Sequence, residues 1–159
     1  MKVEQIMSRP VVTCTVEDSA NRAAQLMWDH DIGAVVVLDA GQRVAGIITD
    51  RDVCMAAYTR GATLSQIPVG EVMSKSVAVI QQDDGIGLAE AQMRTRKVRR
   101  LPVVDANDRL VGIIALNDVA REAALQRGRK TPEVPGDEVV TTLGAICEPR
   151  FAHDLTRRQ

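Results

Sequence analysis

The side chains best placed for chemistry in this chain lie in the run Gly46-Ile-Ile-Thr-Asp-Arg-Asp52. An apolar, strand-like stretch ends there in the hydroxyl of Thr49, and the carboxylate of Asp52 follows three residues later. That spacing is a capping box: the hydroxyl accepts from a first-turn amide while the carboxylate reaches back to a second. The same groups suit a nucleotide, because a helix N-terminus with free N–H groups attracts phosphate and a carboxylate accepts from the two hydroxyls of a ribose. The two readings are compatible, and the sequence supports both. A second run, Gly112-Ile-Ile-Ala-Leu-Asn-Asp118, keeps the glycine and the last carboxylate but has Ala115 where the hydroxyl stood.

Ordinary catalytic equipment is thin. The sequence has no nucleophile with a base beside it, no H-E-x-x-H, no Walker loop and no G-x-G-x-x-G. His30 and His153 are the only histidines and neither has a soft ligand nearby, so surface or helix-end positions are expected and no metal site. Cys14, Cys54 and Cys147 are odd in number and widely spaced, which argues against a disulfide framework; they are expected to be small buried hydrophobes. The chain is expected not to be an enzyme and to have no catalytic residue.

The elements that position these groups come in two copies. Val37-Leu-Asp-Ala40 answers Val103-Val-Asp-Ala106, Gly46-Ile-Ile48 answers Gly112-Ile-Ile114, and Asp52-Val53 answers Asp118-Val119, all at one shift of about 66 positions. Each copy reads as a short β-branched run (Val11 to Thr15; Val77 to Ile80), a capped helix, a hairpin and a second helix. Asp18 and Ser19, then Asp83 and Asp84, are the cap candidates for the first helix of each copy. The hairpins pair Ala34 to Leu38 with Val44 to Ile48, and Leu101 to Val104 with Leu110 to Ile114. The second helices open near Thr49 or Asp50 and near Asn117, and stop near Gly61 and Gly128. The fold class is therefore α/β (α+β), in the order β-α-β-β-α twice. A unit of this size buries too little surface to stand alone, so the two are expected to pack about a pseudo-two-fold axis. The repeats are assigned to residues 1–62 and 71–128, with a linker at 63–70 and a tail at 129–159 containing a short helix over 138–147. That helix has an apolar face able to cover either the module or a second subunit.

Composition narrows the function. With 20 basic and 21 acidic residues the net charge is −1, and Trp28, Tyr58 and Phe151 are the only aromatics. Neither the electrostatics nor the stacking surface for nucleic-acid binding is present. No apolar stretch approaches the roughly 20 residues of a membrane span, and the first residues lack a signal-peptide pattern, so a cytoplasmic protein is expected.

Ile6-Met-Ser8 and Val72-Met-Ser74 entering the repeats, Pro102-Val-Val-Asp105, and Gly46-Ile-Ile-Thr-Asp-Arg-Asp52 together make the sequence resemble the cystathionine-β-synthase (CBS) domain pair, or Bateman module, over about residues 1 to 128. The resemblance implies clefts between the repeats that bind an adenosine-containing regulatory ligand: AMP, ADP, ATP, NAD or S-adenosylmethionine. It assigns Gly46, Ile47, Thr49 and Asp52 to a first cleft, with Thr49 facing phosphate and Asp52 the ribose. Val79, Val98, Arg99 and Arg100 would stand opposite. Arg96, Lys97, Arg99 and Arg100 also fit a solvated basic helix end, yet Arg99 and Arg100 run into a buried strand, where guanidinium groups suit an anion. A second, weaker cleft would use Gly112, Asn117 and Asp118 opposite Thr13, Ile32, Gly33 and Ala34; Ala115 and the Gly33-Ala34 pair depart from the pattern there. Adenine would lie on aliphatic walls such as Ile32, Val79 and Val98.

The function implied is a non-catalytic sensor, a homodimer through its helical faces, that signals to a separate effector protein without nucleic-acid or membrane contact. The alternative is a structural or oligomerisation module with vestigial clefts. Trp28 fits core or interface equally.

Overall fold

Ala34–Leu38 is apolar at every position, and such a strand must be covered on both faces. All five residues are buried. The chain is seen in a computed structural model that describes residues 1–149; the expectations for Phe151 and His153 lie outside the described residues. In the first repeat, strand β2 (Ala34–Leu38) is central, with β1 (Thr13–Thr15) parallel on one side and β3 (Val44–Thr49) antiparallel on the other. In the second, β5 (Arg100–Val104) lies between β4 (Ile80–Gln81) and β6 (Leu110–Ala115) in the same arrangement. The first strand of each repeat is shorter than the β-branched runs predict.

Each hairpin is closed by an aspartate. Asp39 Oδ1 accepts from the amides of Gly41 and Arg43, at 2.8 and 3.0 Å, and Asp105 Oδ1 from those of Asn107 and Arg109, at 2.8 and 2.9 Å. The amide of Arg109 is the main reason the Asp105 carboxyl sits below the usual carboxylate range.

Helix α1 (Ala20–Asp29) is capped by Ser19, whose hydroxyl accepts from the Arg22 amide, and its C-cap is the exposed His30. Helix α2 (Asp50–Arg60) starts at Thr49 and ends on Gly61 at a φ of 60°, a left-handed conformation that glycine adopts without steric cost. The short helix α3 (Val69–Val72) precedes α4 (Ile86–Arg96), and α5 (Leu116–Leu125) follows β6. Gly85, not Asp83 or Asp84, is the N-cap of α4. Asp84 instead accepts from the Gln81 amide at 3.0 Å, as Asp18 accepts from that of Thr15 at 2.7 Å. Both aspartates tie down the strand-to-helix turn one step before the helix begins.

The cores are exchanged between repeats. Val3 and Met7 are buried with Ile80, Met93, Leu101 and Ile114 of the second repeat, whereas Val69 is buried with Val35, Val37 and Ile48 of the first. The backbone shows the same reciprocity. The Val3 amide donates to Asp84 O at 2.9 Å, and that of Val69 to Asp18 O at 2.7 Å. Ser8 bridges to Ile113, and Ser74 to Ile47. A two-fold relation requires this equivalence, and it gives the 63–70 stretch a second role: Ile67 and Val69, at 3% and 0% exposure, are core as well as connection.

Helix α6 (Gly136–Cys147) begins after Pro135, two residues before the expected start, and packs on α4 and α5, so its inner face covers the module itself. Its anchor is polar. Thr142 donates to Glu90 Oε1 at 3.3 Å, and Arg94 donates to Thr142 Oγ1 at 2.8 Å and to Glu138 at 3.4 Å. Glu90 is buried, and that burial pushes its carboxyl above the ordinary range. Gln126, also buried, accepts from the amides of Glu133 and Val134 and pins the segment leading into α6.

The cysteine expectation needs correction. Cys14 is buried, its thiol pushed up to about 11 by burial and by Asp18, but Cys54 and Cys147 lie on outward helix surfaces and are exposed. No helix among the described residues is long and apolar enough to cross a membrane.

Candidate functional site

The end of β3 and the start of α2 hold Thr49 and Asp52 together. The amide and the hydroxyl of Thr49 donate to Asp52 Oδ2, at 2.8 and 2.7 Å, and the Asp52 amide donates back to Thr49 Oγ1 at 3.2 Å. The capping box is thus complete, and Oδ1 of Asp52 accepts from no described residue. The neighbouring amides are committed too: Asp50 N–H donates to Gly33 O at 3.3 Å, and Arg51 N–H to Asp50 Oδ1 at 2.7 Å. The free N–H groups expected at this helix start are therefore not free, because Thr49, Asp50 and the Gly33 carbonyl take them.

A cation, Arg100, lies beside this helix start. A Cβ placed on Gly33 would lie 3.3 Å from Asp50 Oδ2 and 3.8 Å from Arg100 Nη2. The start of β5 in one repeat thus meets the start of α2 in the other across a notch that the missing side chain of Gly33 leaves open. Neither Arg99 nor Arg100 has a side-chain hydrogen bond or ion pair among the described residues. Arg100 is half-buried as the first residue of β5, while Arg99 precedes the strand and is exposed, so only one of the two enters the buried sheet. Val98 is half-buried against the second core, and Val79 stands exposed just before β4.

The two motif glycines have a packing role. A Cβ on Gly46 would come within 2.5 Å of Met73 Sδ and 2.8 Å of Ser74 O. One on Gly112 would collide with Met7 Sδ. Ile47 pairs its backbone with Ser74, donating at 3.1 Å and accepting at 2.9 Å.

The second group of residues is arranged differently. Asp118 is 8% exposed, and its Oδ2 accepts from the Ala115 amide at 2.9 Å. Its Oδ1 is also occupied, by the Ser8 hydroxyl at 3.5 Å and Arg121 at 3.7 Å. Asn117 is exposed. Ile32 packs against the first repeat's core, and Ala34, which is buried, lies opposite Thr49 in the sheet register. Thr13 lines a cavity of about 420 Å³ between the repeats, with Leu38, Arg109 and Val111. Asp50, Arg109 and Ser8 are not among the site residues that the sequence assigns. The signal for Arg109 was its repeat counterpart Arg43, before the last strand of each hairpin.

Comparison with known proteins agrees with this architecture. A family model described as CBS domain matches residues 3–58 and again residues 69–125. The CBS domain-containing protein YhcV of Bacillus subtilis is 36% identical over 118 residues, 74% of this chain and 82% of its own. The CBS domain pair of protein MJ0100, solved with 5′-methylthioadenosine and S-adenosyl-L-methionine, superposes with a TM-score of 0.72 at 25% identity, over 80% of this chain and 98% of that one. CBS domain protein PAE2072 from Pyrobaculum aerophilum, complexed with AMP, shares the fold with a TM-score of 0.71 at 22% identity, over 79% and 95% of the two chains. With two family matches in register with its internal repeat and a fold common to both solved proteins, the chain belongs to the CBS domain family.

Proposed function

We propose that the chain is a non-catalytic sensor that binds an adenosine-containing ligand, one of AMP, ADP, ATP, NAD or S-adenosylmethionine, between its repeats and signals its occupancy to a separate partner protein. The observation that carries this reading is the divided role of Asp52. Oδ2 holds the Thr49 cap while Oδ1 accepts from no described residue, so a pair of ribose hydroxyls can dock without breaking the helix start. Arg100, also without a partner among the described residues, supplies the fork that suits a phosphate. The adenosine compounds bound by the MJ0100 pair support the ligand class.

The clefts are unequal in this reading. Asp118 has both oxygens engaged and no hydroxyl at position 115 beside it, so the second cleft is weak or takes only an uncharged adenosine part. A homodimer in the cytoplasm is the working state, and the effector is a separate chain.

Calorimetric titration of the five ligands into the protein, Asp52→Asn and Arg100→Ala tests the proposal. At least one ligand binds. Asp52→Asn weakens it by about tenfold or more, the cost of a charge-assisted hydrogen bond, and Arg100→Ala weakens the phosphorylated ligands but not S-adenosylmethionine. No binding of any ligand to the folded protein, or affinities untouched by both substitutions, overturns the reading in favour of a scaffold.

A further inference from the structure

The notch at Gly33 is flanked by opposite charges. Asp50 Oδ2 lies 3.3 Å, and Arg100 Nη2 3.8 Å, from the point a Cβ on Gly33 would occupy, so a carboxylate and a guanidinium face the same small opening. Asp50 makes no ion pair with Arg100 or with Arg51 among the described residues.

Asp50 is held in this position. Its Oδ1 accepts from the Arg51 amide at 2.7 Å, which leaves Oδ2 turned to the notch. The fold does not require the acid. Its counterpart in the second repeat is Leu116, the first residue of α5. The Leu116 amide donates to Arg99 O at 2.9 Å, as the Asp50 amide donates to Gly33 O at 3.3 Å. The same helix start is thus built with leucine, and the carboxylate is an addition particular to the first cleft.

With the ribose on Asp52 and the phosphate on Arg100, a reading on which this inference rests, a phosphate that reaches the guanidinium also comes beside Asp50 Oδ2. One phosphate gains the fork of Arg100 at close range, which offsets the repulsion. Further phosphates add charge that Asp50 repels, while the one guanidinium in the notch is already engaged. A cationic group on the 5′ carbon, such as a sulfonium, is attracted by the same carboxylate. We propose that Asp50 sets the specificity of the first cleft by charge, admitting an adenosine ligand with a cationic or singly phosphorylated 5′ group and turning away di- and triphosphates.

Calorimetric titration of S-adenosylmethionine, 5′-methylthioadenosine, AMP and ATP into the parent, Asp50→Asn and Asp50→Glu tests it. In the parent, AMP binds more tightly than ATP. In Asp50→Asn, whose amide oxygen can still accept from Arg51, ATP tightens roughly tenfold and AMP by less, S-adenosylmethionine weakens, and the uncharged 5′-methylthioadenosine is unchanged. Asp50→Glu keeps the parent's order. A distorted site would move every ligand the same way, so opposite shifts of the two charged classes identify the carboxylate itself. ATP binding the parent as tightly as AMP, an Asp50→Asn protein in which all four ligands move together or none moves, or an Asp50→Glu protein that behaves like Asp50→Asn overturns this proposal and leaves the roles of Asp52 and Arg100 standing. Binding of none of the four by the folded parent removes the adenosine reading itself, and this proposal with it.

Discussion

Thr49 gives both its amide and its hydroxyl proton to a single oxygen of Asp52, at 2.8 and 2.7 Å. At the equivalent place in the second repeat Ala115 has only its amide to give to Asp118, at 2.9 Å. The stability of the two helix starts should differ accordingly. Thr49→Ala is expected to lower unfolding stability by about 1 kcal/mol, and Ala115→Thr, which adds the missing acceptor for the Asp118 amide, to raise it by a similar amount. Urea midpoints at constant slope measure both; an Ala115→Thr protein no more stable than the parent shows that the second helix start does not accept a cap.

The glycines of the two motifs should not be equally tolerant. At Gly46 an added methyl meets the Ser74 carbonyl at 2.8 Å, and a backbone atom paired with Ile47 cannot move aside. At Gly112 the three nearest atoms all belong to the flexible Met7 side chain. Gly46→Ala is expected to cost about 1–3 kcal/mol, as overpacking does, and Gly112→Ala less. Equal losses in chemical denaturation would show that Met7 is as rigid as the Ser74 backbone.

Glu90 makes the α6 contact depend on pH. Its carboxyl is raised by burial in the folded state, with Thr142 and Arg94 opposing the shift and Glu138 adding to it. The folded state therefore holds this proton more tightly than the unfolded chain. The stabilisation is fully present below the ordinary carboxylate range and is lost as pH rises through the raised value. Hydrogen exchange of the α6 amides should accelerate over that window, and Glu90→Gln should flatten the profile. A variant whose α6 exchange keeps the parent's pH dependence shows that Glu90 is not its source.

Much of this architecture is legible in the sequence, because hydrophobic period and turn chemistry are local. The Asp39 and Asp105 turns, the Ser19 and Thr49 caps, and the all-apolar β2 follow from nearest neighbours, and Thr49 with Asp52 follows from spacing alone. What periodicity cannot report is which core a segment enters. Met7 and Met73 read as equivalent entries to their own repeats, and each packs against the glycine of the other repeat's motif. Arg99 and Arg100 read alike too, yet one lies before the strand and one within it. The commitment of the α2 amides depends on Asp50 capping its own neighbour, a choice of side-chain rotamer that composition does not reveal.

The exchanged lead segments have the form of a swapped dimer whose halves share one chain. Ser8 and Asp118, hydrogen-bonded in the folded protein, are 110 residues apart in sequence. Closing so long a loop is a late step of folding, and neither half has a finished interior until it is taken. Severing the chain between the repeats would thus leave two fragments that must find each other to fold at all, and an event that loosens one repeat withdraws a structural part from the other.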